Sequence, residues 1–200
     1  LAKVFSDAGA AVTSLTVDST GNMRGQKTYT LTAGDTTIDL SKKNLGSADA
    51  ALLSVWLTTS AGAAVTEVNL AGNRIAGVTR EGYRDQQIDT DTAGLAAFAS
   101  AATKVIKLDL SNNLLGPASI KVLADAMPVM AALTSLNCLK NPIGDDGLAT
   151  LLTAVKGSSV RTLCGLNEGQ TSADFSKQNL GPTDCKMMAA EFKFSGFIAT

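Results

Sequence analysis

The sequence predicts an α/β protein: a right-handed β/α solenoid with parallel strands on a concave face and helices on a convex one. It is read as a single domain over residues 1–200. Three observations carry that expectation. An apolar pattern with a fixed asparagine recurs, its copies beginning at Val65, Val105 and Leu133. The starts at 105, 133 and 160 lie 28 and 27 residues apart, which leaves room for a helix in each return. The intervening stretches place apolar residues at i, i+3 and i+4.

Each copy justifies a short strand and a turn. Val65, Val68, Leu70, Asn73 and Ile75 hold the same positions as Val105, Leu108, Leu110, Asn113 and Leu115, and as Leu133, Leu136, Cys138, Asn141 and Ile143. The fourth and sixth positions point to one side of a strand. The asparagine follows the strand, where its amide can satisfy backbone groups opened by the turn. Asn73, Asn113 and Asn141 are therefore expected to stack as a structural ladder. Weaker copies extend the array: Val12, Leu15 and Val17 with Thr20 at the asparagine position; Ile38, Leu40 and Leu45; Val160 and Leu163; and Ala173, Phe175 and Leu180.

The returns read as helices. Ser47 is a candidate N-cap before Ala51, Leu52, Val55 and Trp56. Leu95 and Phe98 face inward from 93–102. Gly116-Pro117 opens a stretch with Ile120, Val122, Leu123 and Met127, and Asp145 is a candidate N-cap before Leu148, Leu151, Leu152 and Val155. Pro182-Thr183 precede Met187, Met188 and Phe192.

The motif L-x-x-L-x-L-x-x-N-x-L resembles the leucine-rich repeat family, and helical returns of this length resemble its ribonuclease-inhibitor-like branch. The resemblance implies a horseshoe of stacked units and a protein-binding or scaffolding role. The ends at Leu1 and Thr200 lack an evident polar cap, so the segment is expected to belong to a longer array or to have its ends covered.

A longer duplication overlies the repeat. Residues 34–49 match residues 169–184 at a constant offset of 135, including Gly34/Gly169 and Asp49/Asp184 outside the core motif. Both copies follow an extended stretch, at 28–31 and 162–166, whose strand pairing the sequence leaves open. One return is long: Asn73 and Asn113 lie 40 positions apart, and the surplus is read as an inserted loop over 76–92. It carries Arg80, Tyr83 and Arg84, a rigid amphipathic ring between two guanidinium groups, and is a candidate partner surface.

Chemistry is searched for with little return. A formal charge of −1 gives no electrostatic case for nucleic acid or an anionic membrane, and 4% aromatic residues are too few for base stacking. Absent histidine removes Ser-His-Asp and Cys-His activation and two-histidine zinc sites. No Walker-type phosphate loop occurs. Asp89 and Asp91 begin like a calcium loop, but Ala93 and Ser100 occupy later ligand positions, so an acidic helix start is the better reading. Cys138, Cys164 and Cys185 show no C-x-x-C spacing. Cys138 is read as core, Cys164 as outward-facing and Cys185 as early in a helix. No catalytic residue, cofactor or metal site is expected. Free thiols and the lack of a membrane-length apolar run or visible signal point to an intracellular setting, cytoplasmic or an organelle interior.

Two columns remain as candidates for binding a protein partner. Asp39, Asp109 and Asp174 share the fifth motif position, and Lys42, Lys140 and Lys177 share the eighth. The expected function is a non-catalytic interaction or scaffold module. The alternative is a structural subunit of a large assembly that binds through its ends and convex side; more distant is a ligand- or calcium-sensing module.

Overall fold

The computed structural model describes residues 12–81, 85–167 and 170–194. Among these the chain is a mixed α/β protein with a four-stranded parallel sheet and five α-helices. Strands β1 (Ser14–Asp18) and β2 (Thr28–Thr32) come first, then β3 (Thr37–Asp39), helix α1 (Ser47–Thr58) and β4 (Glu67–Asn69). Next are β5 (Val78–Glu81), β6 (Asp85–Ile88) and helix α2 (Ala93–Ala101). Then follow β7 (Lys107–Asp109), α3 (Pro117–Ala126), β8 (Ser135–Asn137), α4 (Gly144–Val155) and α5 (Pro182–Phe194).

The parallel sheet has the order β3-β4-β7-β8, which is chain order, with Ile38, Val68, Leu108 and Leu136 in register across it. Those four side chains are buried and their strand neighbours are not, so one sheet face meets the core and the other stays open. The helices pack on one another in chain order, α1 on α2 through to α4 on α5. The core between the layers holds Leu70, Ile75, Leu110 and Leu115 from the strand-turn units, and Leu95, Phe98, Ile120, Leu123 and Leu151 from the helices. Helix α1 presents Ala50, Leu53 and Trp56 to this core, while Ala51, Leu52 and Val55 are half-buried, a rotation from the face expected from sequence. Where α2 meets α1, Gly94 lies so close that a Cβ would collide with the Ser47 carbonyl oxygen. That contact requires glycine although glycine weakens a helix.

Several elements differ from the expectation. The Val12 copy is not a parallel strand: β1 pairs antiparallel with β2, Leu15 opposite Leu31, which settles the pairing of the extended stretch at 28–31. The surplus at 76–92 is not a plain loop, because β5 and β6 pair antiparallel with Val78 opposite Ile88 and Glu81 opposite Asp85. The Ala173 copy forms its turn but no strand; the segment beside β8 is 162–164, within the Val160 copy, joined to it by isolated bridges only. Ser47 is the first residue of α1 rather than its cap, and its hydroxyl accepts from the Gly94 N–H at 3.0 Å. Asp145 lies inside the first turn of α4 and pairs with Lys186 at 2.7 Å.

Candidate functional site

The strand-turn unit is built by two side-chain devices. At the fifth position an Asp or Asn side chain accepts from the backbone N–H two residues on, closing an Asx turn. Asp39 Oδ1 takes Ser41 N at 2.9 Å, Asn69 Oδ1 takes Ala71 N at 3.0 Å and Asp109 Oδ1 takes Ser111 N at 2.8 Å. Asn137 does the same to Leu139 N at 3.2 Å and Asp174 to Ser176 N at 2.8 Å. The Ser176 N–H, helped by its hydroxyl, holds the Asp174 carboxyl below the usual carboxylate range. The eighth position then turns left-handed, with φ of 54° at Lys42, 72° at Gly72, 56° at Asn112, 63° at Lys140 and 57° at Lys177.

The ninth-position asparagines are the second device. Asn73 Nδ2 donates to Leu70 O at 2.8 Å in its own unit and to Leu40 O at 2.9 Å in the unit before. Asn113 Nδ2 reaches Leu110 O and Leu70 O, at 3.1 and 2.8 Å. Asn141 Nδ2 reaches Cys138 O and Leu110 O, at 3.0 and 2.9 Å. All three side chains are buried. Each amide therefore ties one unit to its predecessor while satisfying carbonyls that the turn would otherwise leave unpaired.

The open sheet face forms a hollow of about 270 Å³ whose lining includes Thr37, Asp39, Glu67, Asn69, Lys107, Asp109, Ser135 and Asn137, with Gly165 and Asn167 at one end. Glu67 and Lys107 form an ion pair at 3.0 Å, and Asn137 Nδ2 donates to Asp109 Oδ2 at 3.1 Å. The pair is about half exposed, so it orders the surface more than it stabilises the fold. Asp39 and Asp109 thus belong to this face. Asp174 does not, because its segment is not in the sheet. The lysine column does not line the hollow either: Lys42, Lys140 and Lys177 occupy the left-handed turns beyond the strand ends. The lysine on the open face is Lys107, from the third motif position, which the sequence reading did not single out. Tyr83 and Arg84 lie outside the described residues. The backbone of Arg80 pairs with that of Gln86 in the β5–β6 ladder.

Sequence reasoning missed a set of carboxylates that hold helix starts. Asp49 Oδ2 accepts from Gly46 N and Thr20 N, both at 2.8 Å, and its Oδ1 from the Tyr29 hydroxyl at 2.9 Å. Burial, then the Asp49 charge and hydrogen bond, push the Tyr29 phenol up. At the duplicated position Asp184 Oδ2 accepts from Gly181 N at 2.8 Å and Oδ1 from Lys140 N at 2.7 Å. Asp89, at the foot of the β5–β6 hairpin, caps α3 from a distance: its carboxylate accepts from Gly116 N at 2.9 Å, Ala118 N at 3.0 Å and Ser119 N at 3.2 Å, and from the Ser119 hydroxyl. Those bonds answer the donors that a helix start leaves open, and they occupy the carboxylate read above as the opening of a weak calcium loop. The recurring Gly-x-x-Asp at 46–49 and 181–184 was the available signal; Asp89 had none.

Glu191 also holds backbone N–H groups, but of the segment beside β8 and not of a helix start. It is fully buried on α5 and accepts from Leu163 N at 2.8 Å, Cys164 N at 2.9 Å and the Thr162 hydroxyl at 2.7 Å. Elsewhere in the sheet an N–H at the fourth position, such as that of Leu136, donates to a carbonyl of the next segment, here Thr162 O at 3.0 Å. At Leu163 a side chain takes that role, and the sheet ends there. The same packing buries Cys164, correcting its outward assignment, and pushes its thiol up through burial and the Glu191 charge. Cys138 is buried as expected, its thiol pushed up to about 12 by burial and then by Asp109, while Cys185 is exposed.

No His/Cys/Asp/Glu cluster able to hold a metal occurs among the described residues, and no helix there is long and apolar enough to cross a membrane. No protein-family model matches the chain, and no match was found among curated proteins.

Proposed function

We propose that the chain is a leucine-rich-repeat-like β/α solenoid of the long helical type, acting as a non-catalytic module that binds a protein partner on its open sheet face. What carries the reading is the hollow on that face, where Asp39, Glu67, Lys107 and Asp109 present both signs of charge over a rigid backbone. The repeated Asx turn, left-handed eighth residue and buried asparagine support the family resemblance. Rigidity matters because a surface already ordered loses little entropy on binding. The non-catalytic assignment rests on a chain without histidine and on two buried thiols held in their neutral form. Three free cysteines fit an intracellular setting.

Reversing charge tests it. Glu67→Lys with Lys107→Glu reverses charge on the open face and leaves the core and the Asx turns untouched; crosslinking mass spectrometry from native extract is expected to lose the partner that the parent chain captures through this face. Unchanged crosslinks from a folded double variant would overturn the reading. A second reading, a structural subunit joined through its ends and convex side, is favoured by Ile106 and Val129. Neither lines the hollow, and they are 40% and 48% exposed.

A further inference from the structure

The 135-residue duplication places one substructure in two different surroundings. In the first copy the neighbouring unit satisfies a row of backbone groups. Leu40 N donates to Asn69 O at 2.9 Å and Lys42 N to Ala71 O at 2.8 Å. Leu45 N donates to Asn73 Oδ1 at 3.0 Å, and Leu40 O accepts from Asn73 Nδ2 at 2.9 Å. The second copy has the same turn without that neighbour. Lys177 and Asn179 have φ of 57° and 53°, against 54° and 59° at Lys42 and Asn44. Both copies close the Asx turn and the Gly-x-x-Asp bond at matching distances. Yet Phe175 N, Lys177 N, Leu180 N and Phe175 O have no partner among the described residues.

The apolar side chains differ in the same sense. Ile38, Leu40, Leu45 and Leu53 are buried, whereas 135 residues later Ala173 is exposed and Phe175, Leu180 and Met188 are half-buried. The turn is thus set by its own Asx and capping bonds and stands ready before anything packs on it. We infer that this end of the molecule is a docking face for one further β/α unit with the chemistry of residues 65–75. Its strand offers two carbonyls two residues apart to Phe175 N and Lys177 N. An asparagine two residues further on bridges Leu180 N and Phe175 O, and apolar residues like Val68, Leu70 and Ile75 cover Phe175 and Leu180. The helix side engages differently, since Pro182 stands where Ser47 receives the Gly94 N–H. The inference rests on the two copies and not on what the open face binds.

The constant offset makes the test direct, because residue 66 plus 135 falls directly after Thr200. Residues 66–104 are appended there to the full chain, and amide hydrogen exchange is read at Phe175, Lys177 and Leu180. Exchange at all three is expected to slow at least tenfold, with a higher melting temperature. An appended segment carrying Ala at the copy of Asn73 alone reads the asparagine contribution: Leu180 should regain its fast exchange, while Phe175 and Lys177, which meet main-chain carbonyls, should stay slower than in the parent. Parent-rate exchange at all three amides with the native appended unit overturns the inference, whether or not that unit gains helix.

Discussion

The side-chain oxygen of Asn141 accepts from the backbone N–H of Asn113 at 2.9 Å, so the asparagine of one unit fixes the turn of the unit before it. The same oxygen takes Leu115 N at 3.1 Å, and the amide nitrogen reaches back to Leu110 O. Asn113 is placed alike but its own Oδ1 has no partner among the described residues. The long return that begins at Asn73 interrupts the pattern at that point.

This asymmetry ranks the two asparagines. Asn141→Ala strands the buried N–H groups of Asn113 and Leu115 and leaves Cys138 O without its amide donor, and is expected to cost about 1–3 kcal/mol. Asn113→Ala loses donors only and should cost less. Urea unfolding with unchanged m-values checks the order; equal midpoints for the two variants would refute it.

Asp89 makes the hairpin structural at its foot. Asp89→Ala is expected to cost about 1–2 kcal/mol, the scale of a lost N-cap, and to raise amide exchange at Ala118 and Ser119. Asp89→Asn, which keeps an acceptor, should recover part of the loss. If both variants melt with the parent chain, the remote cap contributes nothing.

Glu191 closes the sheet with a charge. Glu191→Ala removes the acceptor of two backbone N–H groups and one hydroxyl, each of about 1.5–3 kcal/mol for a charged acceptor and not simply additive. Exchange at Leu163 and Cys164 should rise before global unfolding. Protection unchanged at those amides would mean that something other than Glu191 covers the edge.

The thiols set an alkaline limit. An ordinary cysteine ionises near about 8.5, while Cys138 stays neutral up to about 12 in the fold. Above the unfolded value the native state holds more protons than the unfolded one, so stability falls as pH rises. The loss begins near about pH 8.5 and continues to about 12; Tyr29, also pushed up, adds to it beyond the ordinary tyrosine value near about 10. Cys138→Ala should flatten the first part of that decline in denaturation midpoints measured against pH. At pH 8 a thiol reagent should modify Cys185 alone in the folded chain and all three cysteines in denaturant.

What the sequence determined by itself was local. The strand-turn pattern is written in residues within eleven positions of one another, so the positions of β3, β4, β7 and β8, the buried Leu108 and Leu110, and the asparagine sites were legible from spacing. The duplication was legible for the same reason, and it pointed to Asp49 and Asp184 without saying what they hold. The tertiary structure decided whatever depended on partners far along the chain. Asp89 finds its donors at 116–119, Glu191 finds its own at 162–164, and Thr20 and Tyr29 converge on Asp49. It also decided which way ambiguous apolar segments pair: β1 turned back on β2 because that ladder satisfies both strands' backbone groups locally. The fifth-position carboxylates show the boundary within single residues. Their column was readable from the repeat, but each spends one oxygen on its own turn, and Asp109 spends the other on Asn137. No pattern of residue types reports which lone pairs a fold has already used.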